Sequence, residues 1–240
     1  MEILVITSCS KKKAESHINQ PSCDEINSKY DRKKYLGTFV EKRATRDMYQ
    51  GAMNISINSA IKKLREFFEV EYYILSAGFG LLQEDWKIPP YNCTFSNMTK
   101  KEILERAKLL EIPKDYKKIL VKTNPSLIYL ALGKDYLLSL GNWDENLPCT
   151  TIAFSPSDSE KVISFPADYI TVKKVSSRSG VPIHGVVGFK GDLLLILANY
   201  LLSQKNPEES LQKLLSETDI LKYLLTSSKI RKDQSIDNFL

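Results

Sequence analysis

The sequence predicts an α/β fold, a central and mostly parallel sheet flanked by helices, on three observations. Short apolar runs rich in β-branched residues end in small polar residues or glycine at positions 3–6, 72–76 and 126–132, the form of buried strands. Segments with apolar residues at helical spacing lie between them, and such alternation sets parallel strands side by side with crossover helices on the faces. At 240 residues and 42% apolar content, the chain can bury a core of its own. A single domain is expected, with a core over residues 1–205 and a helical extension over residues 206–240.

In chain order, Ile3-Leu4-Val5-Ile6 is the first strand and Thr7-Ser8-Cys9-Ser10 its exit loop. Residues 11–38 are polar with little periodicity and read as a surface excursion. Met48, Ala52, Ile55, Ile61, Leu64 and Phe68 recur at mostly helical spacing, which predicts one amphipathic helix over residues 45–68. Residues 72–76 are the second strand. Thr99-Lys100-Lys101-Glu102 is a capping-box pattern opening a helix with Ile103, Leu104, Ala107 and Leu110 on its apolar side. Residues 126–132 form the third strand, ended by Gly133, and residues 135–140 a short helix. Residues 150–154 and 169–172 are weaker strand candidates. The chain then becomes glycine-rich and closes in helices over residues 191–202 and 207–225.

Charge is distributed unevenly. Residues 1–65 carry 13 Lys and Arg against 7 Asp and Glu, whereas the rest of the chain carries 21 against 22. The excess gathers in Lys11-Lys12-Lys13 and in Lys29, Arg32, Lys33, Lys34, Lys42, Arg43 and Arg46, with Tyr30, Tyr35 and Phe39 interleaved. Cations among aromatic rings suit a nucleic-acid strand, whose phosphates take the charge and whose bases stack. Cys9, Cys23, Cys93 and Cys149 stand far apart without a C-x-x-C pair, and only His17 and His184 supplement them. Neither a zinc site nor a disulfide framework is expected. The amino terminus is too short and acidic for a signal peptide, and no run approaches the ~18 apolar residues of a membrane span. A cytoplasmic protein with no membrane partner, no metal and no cofactor is expected.

Three constellations carry candidate chemistry. Thr7-Ser8-Cys9-Ser10-Lys11-Lys12 ends the first strand, where hydroxyls, amides and ammonium groups hold anions; the glycines of a P-loop are missing. Neighbouring cations make Cys9 a candidate reactive thiol. The second constellation runs from Ser76 through Gly78, Phe79 and Gly80 to Ile88-Pro89-Pro90-Tyr91-Asn92, a stiff, glycine-bearing loop at a strand end. It offers Glu84 and Asp85 as acid or base, Tyr91 as a stacking ring and Asn92 as a group that orients water or reads a base edge. The third is Ser176-Ser177-Arg178-Ser179-Gly180 with His184-Gly185 and Gly188-Phe189-Lys190-Gly191 before a helix. Exposed first-turn amides with Arg178, His184 and Lys190 would make a phosphate seat.

The strand followed by Thr7-Ser8-Cys9-Ser10-Lys11-Lys12-Lys13, the helix bearing Arg46-Asp47-Met48-Tyr49-Gln50-Gly51, the Leu75-Ser76-Ala77-Gly78-Phe79-Gly80-Leu81-Leu82 segment and Pro90-Tyr91-Asn92 resemble a family of small bacterial and archaeal domains. Gly133-Lys134-Asp135-Tyr136 matches that family's G-x-x-Y strand end, and the likeness covers roughly the first 140 residues. More distantly, the motif order is similar to the core domain of archaeosine synthase, which acts on a 7-deazaguanine base in tRNA, and to the DNA-binding peroxide-stress protein YaaA. These groups resemble the uracil-DNA glycosylase-like fold, which implies a three-layer sandwich.

The resemblance implies a DNA glycosylase-like hydrolase that flips and excises a modified base, in antiviral defence or repair. The roles it suggests are base or phosphate contacts from Ser8, Cys9 and Ser10, phosphate contacts from Lys11, Lys12, Lys13, Arg46 and Arg178, pocket walls from Phe79 and Tyr91, water placement by Asn92, and Asp85 or Asp47 as the base. The family's aspartate after Pro-Tyr is Asn92 here, and its Lys-Tyr or Lys-His before Gly-Leu-Leu is Gly78-Phe79. A tRNA base-modifying transferase that engages Cys9 or a lysine and a non-catalytic DNA-binding stress protein are the alternatives.

Overall fold

The structure is a computed structural model that describes residues 1–14, 20–38, 41–156, 159–176 and 182–227. Its centre is the strand that the sequence places first. In β1, Glu2–Ser8, the side chains of Ile3, Leu4, Val5 and Ile6 are fully buried. Burial on both faces removes polar alternation, so the strand reads as a continuous apolar run. On one side of β1, β3 (Glu69–Ser76) pairs parallel; on the other, β6 (Leu127–Ala131) does the same. Beyond β6 lie β7 (Thr151–Ala153) and β8 (Val162–Ser164), also parallel, and β4 (Gly80–Gln83) folds back antiparallel on β3. The order is β4-β3-β1-β6-β7-β8, and β2 (Arg43–Ala44) pairs separately with β5 (Lys87–Ile88).

From β1 the chain crosses to β3 on one side, then later to β6 on the other. Right-handed crossovers therefore send the connecting helices to opposite faces. The loops leaving the carboxyl ends of β1 and β6 diverge into a crevice, the place where open α/β sheets take ligands. The first crossover carries α2 (Thr45–Met48) and α3 (Ala52–Leu64). The second carries α4 (Lys100–Leu109) and α5 (Ile112–Thr123), and α6 (Lys134–Ser139) follows β6. The expected capping box opens α4, with Thr99 Oγ1 accepting from the Glu102 amide and the Glu102 carboxylate accepting from the Thr99 amide.

The long helix α8 (Gly185–Ser203) lies along α3. A Cβ at Gly191 would collide with the Met53 carbonyl oxygen, so glycine there lets the two backbones touch. Around α8 pack α7 (Tyr169–Ser176), α9 (Pro207–Ser216) and α10 (Thr218–Ser227), through buried Val172, Leu211, Leu214, Leu221 and Leu225. Each such buried side chain contributes roughly 1.5–3 kcal/mol relative to exposure.

Several expectations change. The single helix over residues 45–68 is two, because Tyr49 takes an extended conformation and turns its hydroxyl onto Tyr91, 2.7 Å away. Residues 169–172 lie in α7 rather than a strand, and β8 replaces them at the sheet edge. The excursion over residues 11–38 contains α1 (Lys29–Thr38), which buries no residue. Gly185, Gly188 and Gly191 belong to α8 itself, so the helix starts six residues earlier than expected. By length and composition α8 is apolar enough to cross a membrane, contrary to the reading of the sequence, and 67% of that window is buried against the rest of the fold. Finally, Cys23 and Cys93 form a disulfide across 70 residues, their Cα atoms 4.8 Å apart. No short spacing announces that bond; only the fold brings the excursion to the loop after Tyr91.

Candidate functional site at the β1 and β6 strand ends

The exit loop of β1 is held open by its neighbours. Ser10 Oγ donates to the Lys12 carbonyl and accepts from the Gly51 amide at 3.2 Å, and Asn54 Nδ2 donates to the Ser8 carbonyl at 3.2 Å. Gly51 permits this approach, since a Cβ there would come within 2.9 Å of Ser10 Cβ. The loop thus forms one wall of a cavity of about 530 Å³ between the ends of β1 and β6. The amino-terminal turns of α3 and α8, Gly133 to Tyr136 after β6, and Thr94 with Ser96 form the other walls.

Of the residues singled out in the sequence, Ser8, Cys9, Ser10, Lys11, Lys12, His184 and Lys190 line this cavity. Cys9 is a free thiol, buried, with its Sγ 3.1 Å from the Tyr136 hydroxyl, which in turn lies 3.4 Å from Thr94 Oγ1. Burial pushes the Tyr136 phenol well above its ordinary pKa, so it remains protonated beside the thiol. Lys190 is 8% exposed and burial lowers its pKa. Lys11 and Lys12 are exposed at the rim, while Lys13 is half-buried, its ammonium 4.6 Å from the Tyr91 ring centroid. Replacing Lys11 and Lys12 by serine is expected to flatten the salt dependence of nucleic-acid binding by about one unit of slope per lost phosphate contact. An unchanged slope in a titration at several salt concentrations would show both lysines to be solvated only.

His184 gains a partner that local sequence patterns did not single out. Its Nδ1 lies 3.0 Å from Asp192 Oδ1, and its backbone amide donates to Asp192 Oδ2 at 2.7 Å. Asp192 is fully buried and also accepts from Ser56 Oγ at 2.7 Å. A carboxylate fixed this way sets the imidazole so that Nδ1–H points at Asp192, and Nε2 has no partner among the described residues. Gly188 makes room, because a Cβ there would meet His184 Cβ and come 3.5 Å from Asp192 Oδ2. The histidine and aspartate are eight residues apart, on the entry and the third turn of α8, and the helix start that pairs them was misplaced from sequence.

Other expected residues lie elsewhere. Ser76 Oγ accepts from the Gly78 and Phe79 amides and bonds to the Tyr91 hydroxyl at 2.6 Å, so it clamps the β3–β4 turn. Gly80 supplies the positive φ of that turn, +84°, and a Cβ at Gly78 would lie 2.7 Å from the Tyr91 ring. Tyr91 itself is fully buried, with Phe79 edge-on at 5.0 Å between centroids. It is a structural hub and offers no face for a base to stack on, contrary to expectation.

Asp85 and Asp47 are exposed and ion-paired with Arg46, which also reaches Glu84. The Glu84 amide bonds to the Tyr72 carbonyl, four strand residues or roughly 13 Å from Ser76. This charge cluster, Arg46 included, is therefore not among the groups lining the cavity. Asn92 is exposed in a second cleft of about 590 Å³, beside the Cys23–Cys93 disulfide and Arg106, with Thr94 on the wall shared by the two. Arg178 lies outside the described residues, as do His17 and Phe39.

Residues 39–151 match a family of unknown function, DUF6884. The match spans the cavity walls from Gly51 to Asn54 and from Gly133 to Tyr136, but neither the β1 loop nor α8. No curated protein matches the chain.

Proposed function

We propose that the protein is a nucleic-acid N-glycosidase of the uracil-DNA glycosylase-like fold, acting in the cavity between the ends of β1 and β6. The observation that carries this reading is the His184–Asp192 pair, an oriented imidazole opening on the same cavity as Ser8, Cys9 and Ser10. In this role His184 Nε2 takes a proton from water as the water oxygen bonds to the sugar C1′ and the bond to the base nitrogen breaks. The proton then passes to the departing base. Asp192 holds the imidazole and balances its transient charge. Asp135, the carboxylate among the described cavity residues, faces the oxocarbenium-like centre. Asn92, which lines the other cleft, has no part in this reading. The basic excursion and the rim lysines support a nucleic-acid rather than a free-base substrate.

One observation favours a second reading. Cys9 is a free thiol in the same cavity, within reach of the Tyr136 hydroxyl, the placement a base-exchanging transferase with a covalent cysteine would need. Incubating the protein with DNA that carries modified bases, followed by alkali, separates the possibilities. Strand breaks at abasic sites are expected, with Cys9→Ser retaining most of that activity. Loss of activity in a folded Cys9→Ser variant, with a base of altered mass left in the strand, would replace hydrolysis by transfer. Binding with no change in the nucleic acid would leave a non-catalytic binder.

A further inference from the structure

We propose that the cavity contains a subsite for the phosphate group of a nucleotide, with the Lys190 ammonium as its fixed cation and the amino-terminal turns of α3 and α8 as its amide donors. The proposal rests on the reading above that a nucleotide unit occupies this cavity, and adds where its phosphate lies.

Lys190 is the anomaly that demands an anion. It is more than nine-tenths buried and lines the cavity, yet no carboxylate or hydrogen-bond acceptor meets its ammonium among the described residues. Its ammonium lies over the Phe154 ring, 5.8 Å from the centroid. A buried charge is costly unless paired, and burial already holds the Lys190 pKa below its ordinary value. An anionic ligand would complete the pair.

Two helices end at the same place. The residue preceding α3 is Gly51 and that preceding α8 is His184, and neither helix has a side-chain cap. First-turn residues of both helices, including Met53 and Val187, line the cavity. Uncapped first-turn amides at the positive ends of helices of 13 and 19 residues are donors for phosphate oxygens. Among the described lining residues stand Lys11, Lys12 and Lys134 against the carboxylate of Asp135, while the buried Asp192 carboxylate of α8 is engaged by His184 and Ser56. Several cations around one buried ammonium suit the multiple charge of a phosphate better than that of a carboxylate.

The test is calorimetric titration of the full chain with inorganic phosphate, a deoxynucleoside, its 5′-monophosphate and short oligonucleotides. The monophosphate is expected to bind at least tenfold more tightly than the nucleoside. Lys190→Met is expected to abolish that difference while leaving the melting temperature unchanged or raised, because it removes an uncompensated buried charge. Displacement of the monophosphate by a strand without a terminal phosphate would seat an internal phosphodiester in the subsite. Displacement that requires a 5′-phosphorylated strand would seat the monoester; both outcomes support the subsite. Equal affinities of nucleoside and monophosphate, or a folded Lys190→Met variant that keeps the preference, would overturn it. Because binding is read without turnover, phosphate preference in a protein that releases no base would uphold the subsite and sink the glycosidase reading alone.

Discussion

His184→Ala is expected to lower single-turnover base release by a factor of about 10²–10⁴, the range general-base groups contribute, while nucleic-acid binding persists. The side chain is half exposed, but its loss takes one partner from the buried Asp192 carboxylate, so a stability loss of about 1–3 kcal/mol is expected, and activity is compared where both proteins are folded. Asp192→Asn keeps the shape of the buried partner but removes its charge and its exclusive acceptor character, which frees the imidazole to adopt the other tautomer. A fall on the order of a hundredfold is expected there, concentrated in the chemical step. Asp192 is a positioning residue in this reading. The check beyond rate is rescue: added imidazole should restore part of the activity of His184→Ala and none of that of Asp192→Asn. If His184→Ala retains full activity in folded protein, the general base has been misassigned.

Opening the Cys23–Cys93 bond is expected to produce the largest change in stability. A cross-link enclosing 70 residues restrains the unfolded chain by about 4 kcal/mol in the chain-entropy account. The bond also joins the polar excursion to the loop following Tyr91. It adds to other contacts there: the Asn92 amide donates to the Pro21 carbonyl at 2.9 Å, Tyr35 Oη donates to the Pro90 carbonyl at 2.6 Å, and Arg106 Nη1 donates to the Cys23 carbonyl at 3.0 Å. Denaturant titration with and without a thiol reductant should separate by a large part of that energy in the natural chain, and should coincide in a Cys23→Ser, Cys93→Ser double variant. Thiol counting on unreduced, unfolded protein should find two free groups, Cys9 and Cys149. Four free thiols would show that the bond does not form.

How much of this was legible in the chain depends on how far apart the interacting groups are. β1, β3 and β6 could be read because each is a continuous apolar run, and such a run is buried wherever it goes; the α4 capping box could be read because its two partners stand three residues apart. The same local logic singled out Ser8, Cys9 and Ser10 at the end of the first strand, since strand-end loops in parallel sheets border a topological crevice; Asp135 and Tyr136, which line the same cavity, were not singled out as site residues. Near Tyr49 the local break signal is Gly51, which precedes α3; the extended Tyr49 places its hydroxyl on that of Tyr91, 42 positions away. Where local signals were neutral, the fold decided. Residues 169–172 carry an apolar character that a strand and a short helix satisfy equally, and packing against α8 and α10 selected the helix.

The candidate site follows the same division. Composition alone determined that the amino-terminal region is basic and that glycines crowd the approach to the last helices, because charge and backbone freedom are properties of single residues. Which polar groups meet was a tertiary decision. Asn92 and Asp85 lie on one short stretch of sequence yet end in different places, because a hairpin and an edge strand carry them apart. His184 and Asp192 meet because one stands at the entrance of α8 and the other on the buried face of its third turn, and the same packing leaves Lys190 only 8% exposed. Burial and pairing depend on the whole packed assembly, so the charges that matter most to this site are those whose surroundings only the fold supplies.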